Sequence, residues 1–420
     1  MTIQSTQARR GIFHGWFVVA AAFAVMFVGF GSAYTFSAFL EPLQRDFGAS
    51  RGSISLVFSI AGFLYFALGL ISGPLADRFG SRPLAVAGMI LVAVGLAAAS
   101  AARSLVEVYL AYGLGVGIGV GCAYVPAIGA VQRWFVRRRG FASGLAVSGI
   151  GLGTLTMPPL ASLLIASVGW RGAYLALGAI TLMLGGGLAL LIENDPKDRG
   201  LGPDGDSPHE ASAVTNAGGA SVREAVRSTR FVGLYMSCLV CSFGAFVPFV
   251  HLVPYARDHG IAASFAVLLL GMVGAGSTAG RFFLGALADR TGRDRSLIMV
   301  LIGMAFAMVI WAVAANVWAL AAFAFVYGVF YGGWVAVLPA VVMDYFGGRN
   351  VSGIIGVLYT SVAFGTLVGP SAAGFAYDWS HSYALPIMLS AAANIIAALI
   401  AIAVLARSGK RTVTVTSAAS

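Results

Sequence analysis

Charge is scarce in this chain. Asp, Glu, Lys and Arg make up 10% of its 420 residues, less than half of the roughly 25% carried by a soluble domain. Cysteine is scarcer, with three in all. Cys122, Cys238 and Cys241 fall inside apolar runs, which excludes a disulfide framework. Cys238-Leu-Val-Cys241 has neither a second pair nor a strand–helix setting, so it reads as small packing residues. No Asp or Glu lies at the middle of an apolar run; Glu107 and Asp344 sit near run ends as interfacial charges. With no metal cluster and no nucleophile–base pair, neither an enzyme nor a cofactor is expected. Gly113-Leu-Gly-Val-Gly-Ile-Gly-Val-Gly121 lacks the Lys-Ser/Thr and the strand of a phosphate loop. It reads as a surface for close helix packing.

What is abundant is apolar sequence, 59% of the chain. Runs of about 20 residues span a bilayer as helices. Twelve are expected, at 14–40, 53–76, 84–102, 105–133, 141–167, 172–192, 230–256, 264–288, 296–314, 317–344, 351–377 and 384–406, called spans 1 to 12 below. The predicted fold class is all-α integral membrane. Arg9-Arg10 precedes a run too long for a signal peptide, so span 1 is expected to remain uncleaved.

The net charge of +10 is not spread as nucleic-acid binding would require. Tracing the loops puts 20 of the 26 Lys and Arg residues on the side of the N-terminus. Arg45, Arg51, Arg103, Arg171 and Arg257 fall on the other side, and Arg281 is left in the membrane. The positive-inside rule then places both termini in the cytoplasm, and a cytoplasmic (inner) membrane is the expected location.

Residues 193–229 are polar and rich in Gly, Pro and Asp. They form a linker between an N-terminal half (1–192) and a C-terminal half (230–406), with a tail at 407–420. Within the linker, Ser221-Val-Arg-Glu224 has the form of a capping box, so either a short basic helix or an irregular segment follows. The halves repeat. Gly73-Pro-Leu-Ala-Asp77-Arg78-Phe-Gly80 returns as Gly285-Ala-Leu-Ala-Asp289-Arg290-Thr-Gly292, and Gly153-Thr-Leu155 with Pro158 returns as Gly365-Thr-Leu367 with Pro370. The interval from Asp77 to Asp289 equals that from Gly153 to Gly365. Two separate matches at one offset indicate duplication.

The Gly-x-x-x-Asp-Arg-x-Gly loop after span 2, with its echo after span 8, resembles the signature of the major facilitator superfamily. That resemblance implies two pseudo-symmetric six-helix halves. It also implies that Asp77, Arg78, Arg82, Asp289 and Arg290 gate the cytoplasmic ends of the halves. Trp134-Phe-Val-Arg-Arg-Arg139-Gly140, Gly149, Gly153 and Pro158-Pro159, together with the lone arginine of span 8, resemble the monocarboxylate transporter and oxalate–formate antiporter branch. The implied activity is proton-coupled symport of small monocarboxylates such as lactate or pyruvate, by alternating access. An anion exchanger and a non-transporting sensor are the rivals; the short tail offers no signalling appendage. Animal members carry an aspartate where Ser277 stands and a lysine in span 1 near Tyr34. Oxalate carriers have a lysine in span 11, where this chain has no cation.

Arg281 is the chief site candidate. A guanidinium within a span costs about 2.5 kcal/mol or more and does not lose its proton. One fixed cation balances a monoanion and leaves a dianion half unpaired. Around it, Tyr34, Tyr124, Tyr331, Tyr359 and Ser277 are candidate donors, and Leu145, Phe36, Phe364 and Trp334 candidate walls. His251, well inside span 7, is a proton-coupling candidate beside Arg281, although a satisfied structural role competes. The expected partners are a small monocarboxylate, a proton and the lipid bilayer, with no nucleic acid, for a monomer.

Overall fold

A computed structural model describes residues 13–205, 219–314, 316–347 and 350–409. Arg9, Arg10, Arg349, Lys410 and Arg411 of the charge count lie outside these residues, as do 206–218 of the linker and 410–420 of the tail.

Among the described residues, ten helices are long and apolar enough to cross a membrane, and the bent pair Arg51–Ala67 and Gly69–Phe79 makes eleven. The longest, Gly140–Ala189, turns at Gly169, whose φ of 73° and ψ of 170° are not helical. Dividing it there yields spans 5 and 6 and the expected twelve. The only strand-like feature among the described residues is an isolated bridge, Gly219 to Gly347.

Several spans are broken for local reasons. In span 1, the Thr35 hydroxyl donates to the Ser32 carbonyl at 2.6 Å, competing with the helix ladder, and the helix restarts as Phe36–Phe47. Span 2 bends by 46° between Ala67 and Gly69. Span 7 breaks at Phe246 ahead of Pro248 and resumes as Val247–Asp258. Within the linker, Ser221 and Glu224 form the capping box and open the short helix Val222–Arg227, which decides between the two readings of that segment.

The duplication is visible in three dimensions. Gly80 (φ 89°) and Gly292 (φ 93°) end the two Asp-Arg loops in a conformation that only glycine takes freely. Thr154 donates to Ile150 O at 2.8 Å, and Thr366, its counterpart in the repeat, donates to Val362 O at 2.8 Å. The glycine run of span 4 serves two neighbours. A Cβ on Gly115 or Gly119 would lie 2.6 Å from the backbone of Gly95 or Gly88 in span 3. One on Gly117 would lie 2.9 Å from Ala61 in span 2.

The halves meet through spans 2 and 11, 5 and 8, and 1 and 7. Their two ends differ. On the side of the Asp-Arg loops and linker, Arg133 donates to Asp77 at 3.1 Å. Arg293 pairs with both Asp289 and Asp344, Arg82 donates to Ile192 O at 2.8 Å, and Arg78 lies over the Phe79 ring. Among the described residues each of these ion pairs stays within one half or its adjoining linker, so the charges expected to latch the halves are not joined across them. On the opposite side the halves are tied. Arg51 of span 2 grips Asp258 of span 7 with two hydrogen bonds, at 2.6 and 2.7 Å. Asp378 of span 11 accepts from the backbone N–H groups of Arg51 and Gly52 at 3.0 and 2.8 Å. Arg257 meets Glu41 at 3.4 Å. This bundle is closed on the side away from the linker.

Candidate functional site

Span 8, Ala263–Thr291, is placed by its glycines. A Cβ on Gly276 or Gly280 would lie 2.2 or 1.9 Å from carbonyl oxygens of span 10, and one on Gly274 would lie 2.5 Å from the Leu155 nitrogen of span 5. The helix is thus pressed against spans 10 and 5 on two faces. Arg281 emerges between them and is 8% exposed. A Cβ on Gly151 of span 5 would come within 3.0 Å of its Nη1. A side chain at 151 would crowd the guanidinium. The Nε and Nη1 atoms are buried without a hydrogen-bond partner. An unpartnered buried cation is costly to the protein alone and is a ready partner for an anion.

Arg281 lines a narrow cavity between the halves. The N-terminal half contributes Phe30, Tyr34, Phe66, Tyr124 and Ile150, and the C-terminal half Tyr331, Trp334, Val335, Leu338, Tyr359 and Val362. Tyr331, Trp334, Val335 and Leu338 share one helical face of span 10 by their spacing. The Tyr34 and Tyr331 hydroxyls meet across the halves at 3.4 Å. Tyr124 and Tyr359 are neighbours across the halves, and all four tyrosines are within electrostatic reach of Arg281. Phe249 packs on both Tyr34 and Tyr331, with centroids at 4.6 and 5.0 Å. One fixed positive charge, four hydroxyls and an otherwise apolar wall suit a single carboxylate on an apolar body.

Of the residues singled out in the sequence, the structure gathers Arg281, Tyr34, Tyr124, Tyr331, Tyr359 and Trp334 around this cavity. Ser277 is elsewhere: its backbone is pressed against Gly328 and Gly332 of span 10, so the helix contact claims its face. Phe364 is 49% exposed on the outside of the bundle and touches Phe63. Leu145 does not line the cavity, and buried Phe36 packs on Phe58 and Tyr112. His251 lies with the far-side ties instead. Its Nε2 is 2.8 Å from Pro370 O and 3.4 Å from the Ser55 hydroxyl, and its Nδ1 is 3.1 Å from the Tyr383 hydroxyl, which itself accepts from Arg51 at 2.9 Å. Phe30, Phe66, Ile150, Val335, Leu338 and Val362 were not foreseen. Ile150 and Val362 are counterparts in the repeat, which could have paired them once either was known.

A family model described as Major Facilitator Superfamily matches residues 21–315 and 233–420. Monocarboxylate transporter 3 of Rattus norvegicus is 32% identical over 393 residues, covering 91% of this chain and 78% of the relative. The chain belongs to the monocarboxylate transporter branch of the major facilitator superfamily. Monocarboxylate transporter 11 of Homo sapiens is 29% identical, covering 90% of this chain and 80% of the relative. In fold, this superfamily member is similar to a bacterial homologue of the human lysosomal transporter Spinster, solved in an inward-facing and unoccupied conformation. The TM-score is 0.71 at 17% identity, covering 95% of this chain and 98% of that one.

Proposed function

We propose that this multi-pass membrane transporter carries organic monocarboxylate anions by alternating access, each with a proton. The observation that carries the reading is Arg281. It is the one charged side chain among the residues lining the cavity, and its Nε and Nη1 are buried and unpartnered. A monocarboxylate neutralises it and accepts two parallel hydrogen bonds. The names of relatives at about 30% identity agree with that chemistry.

The asymmetry of loop charge supports a cytoplasmic membrane with both termini inside. In that orientation the tied ends of spans 2, 7 and 11 face outward, and the cavity belongs to an inward-facing state. The halves at 1–192 and 230–406 then rock about the cavity within a monomer, joined by the linker at 193–229. The gating charges Asp77, Arg78, Arg82, Asp289 and Arg290 would join across the halves only when the inner side closes. Arginine keeps its charge throughout, and His251 is engaged away from the cavity. We therefore place the proton on the substrate carboxylate, which leaves Arg281 as the neutral acid RCOOH.

The test is uptake of a labelled monocarboxylate into proteoliposomes holding the full chain, with and without an imposed pH gradient, for wild type and Arg281→Lys. Gradient-driven uptake lost in the mutant supports the reading. Uptake that needs internal counter-substrate and ignores the gradient makes the protein an exchanger. Binding without flux makes it a sensor.

A further inference from the structure

The outer ends of spans 1 and 7 are copies of one another. Pro42-Leu-Gln-Arg45-Asp46-Phe-Gly48 returns as Pro254-Tyr-Ala-Arg257-Asp258-His-Gly260, at the interval that separates Asp77 from Asp289. Both glycines are left-handed, with φ of 59° and 77°. Each copy closes a separate helix, Phe36–Phe47 in span 1 and Val247–Asp258 in span 7. The two short helices pack on each other. They also carry the far-side ties, Glu41 to Arg257 and Asp258 to Arg51.

The breaks that detach these helices are matched as well. In an unbroken helix, Ala33 O would accept from the Ser37 N–H, and Ala245 O from the Phe249 N–H. Here a buried tyrosine of another span meets each carbonyl. The Tyr112 hydroxyl of span 4 donates to Ala33 O at 3.0 Å, with Ser32 O at 3.2 Å. The Tyr327 hydroxyl of span 10 donates to Ala245 O. Ala33 and Ala245 are counterparts in the repeat, whereas Tyr112 corresponds to Ala324, one turn before Tyr327. The two halves thus reach the same bond from different residues, so inheritance alone does not explain it. Tyr112 itself stands on a π-helical turn, Tyr109–Leu114, a departure from the α-helix that is frequent at functional places.

A freed carbonyl within a membrane needs a donor, and that need alone would account for either tyrosine. It does not account for where the breaks fall. Each lies between the cavity and the far-side ties. Tyr34, which lines the cavity, is the last residue of the inner part of span 1. Phe249, just beyond the break in span 7, packs on Tyr34 and Tyr331. When the far side opens, the two outer helices must part, and an interrupted ladder is where a span bends with the fewest backbone bonds lost.

We infer that Tyr112 and Tyr327 are positioning residues for transport. Each latches a hinge on which an outer helix swings, so the far side opens by bending of spans 1 and 7 within their halves as well as by rocking of the halves. This rests on the alternating-access reading and not on which anion is carried.

Tyr112→Phe and Tyr327→Phe remove each latch and keep its ring. With the full chain in proteoliposomes, amide hydrogen exchange should quicken about three- to tenfold over 36–47 in the first variant and over 247–258 in the second. Each variant should leave the other segment at its wild-type rate, whereas general damage would quicken both. Spin labels at positions 45 and 103, both in the N-terminal half, should give a broader distance distribution in Tyr112→Phe than in wild type. Halves moving only as rigid bodies would keep that distance fixed. Unchanged exchange in both variants, equal quickening of both segments, or an unaltered 45–103 distribution overturns the inference. Absence of monocarboxylate uptake by the wild-type chain overturns the transport reading instead, since the exchange rates do not depend on it.

Discussion

Arg51 and Asp258 face each other across the two halves in a two-point contact, guanidinium to carboxylate, at 2.6 and 2.7 Å. They come from spans 2 and 7, far apart in the chain, and the Arg51 side chain is 11% exposed. The contact is reinforced by Asp378, which supplies an anion to the first N–H groups of span 2 from the opposite half, where a helix start favours negative charge.

Loss of this tie should open the far side. Asp258→Asn removes one charge and weakens a charge-assisted pair worth about 1.5–3 kcal/mol. The balance between inward- and outward-facing forms should move about tenfold or more toward the outward form. Spin labels on the far-side ends of spans 2 and 7 would read this by electron–electron distance measurement. Unchanged distance distributions would refute the role. Amide hydrogens at 51–54 should exchange faster in the same variant.

Arg281→Gln should separate stability from activity. The buried, unpartnered guanidinium strains the protein alone, so its removal should raise the melting temperature, by about 1 °C for each 1 kcal/mol relieved in a chain of this length. Substrate affinity should fall roughly 10- to 100-fold with the lost charged hydrogen bonds. Thermal melting and equilibrium binding on the same preparation check both. A variant less stable than wild type would show that Arg281 is a structural residue.

The contact between spans 5 and 8 tolerates no side chain at two places. A Cβ on Gly151 would lie 2.1 Å from the Thr278 hydroxyl, and one on Gly274 would lie 2.6 Å from Gly151 O. Gly274→Val should destabilise by about 1–3 kcal/mol and displace Arg281 from the cavity, with uptake falling further than melting temperature alone explains. Normal uptake by a stable Gly274→Val protein would contradict the packing.

Glu193, in the linker just after span 6, carries a depressed pKa. The chief cause is hydrogen bonding from Arg199, with the nearby His14, Arg199 and Arg82 charges adding to it. A carboxylate with a lowered folded pKa stabilises the fold above its unfolded value, near about 4.3, and that contribution is lost as pH falls through the folded pKa. Glu193→Gln should therefore melt lower than wild type at pH 7, and the two curves should converge below about pH 4. A gap independent of pH would assign the effect to packing.

Much of the architecture was legible because membrane spans announce themselves by length and apolarity. The Asp-Arg loops marked the repeat, and Ser221 with Glu224 marked a helix start. Arg281 and its four tyrosines stood out as polar groups in apolar helices. Their apolar neighbours did not. Val335 or Leu338 looks the same in sequence whether it faces lipid, another helix or a cavity, since a membrane helix is apolar all round. Ser277 misled because a hydroxyl one turn from Arg281 takes the same helical face only if no other helix is pressed there, and Gly332 is. Arg51 read as one loop charge among five, because the partners that define it come from the other half.

The repeat makes Gly69 the counterpart of Arg281. The N-terminal copy of this helix bends between Ala67 and Gly69, while the C-terminal copy runs unbroken from Ala263 to Thr291. The two halves are therefore unequal partners in holding an anion. In the proposed cycle, a carboxylate bound to Arg281 would be cargo of the C-terminal half and move in its frame. The N-terminal half offers no charge, only hydroxyls and apolar groups, and it would turn past the cargo as a sliding cover. Under that proposal, transport would be one half presenting a bound charge to alternate sides of the other.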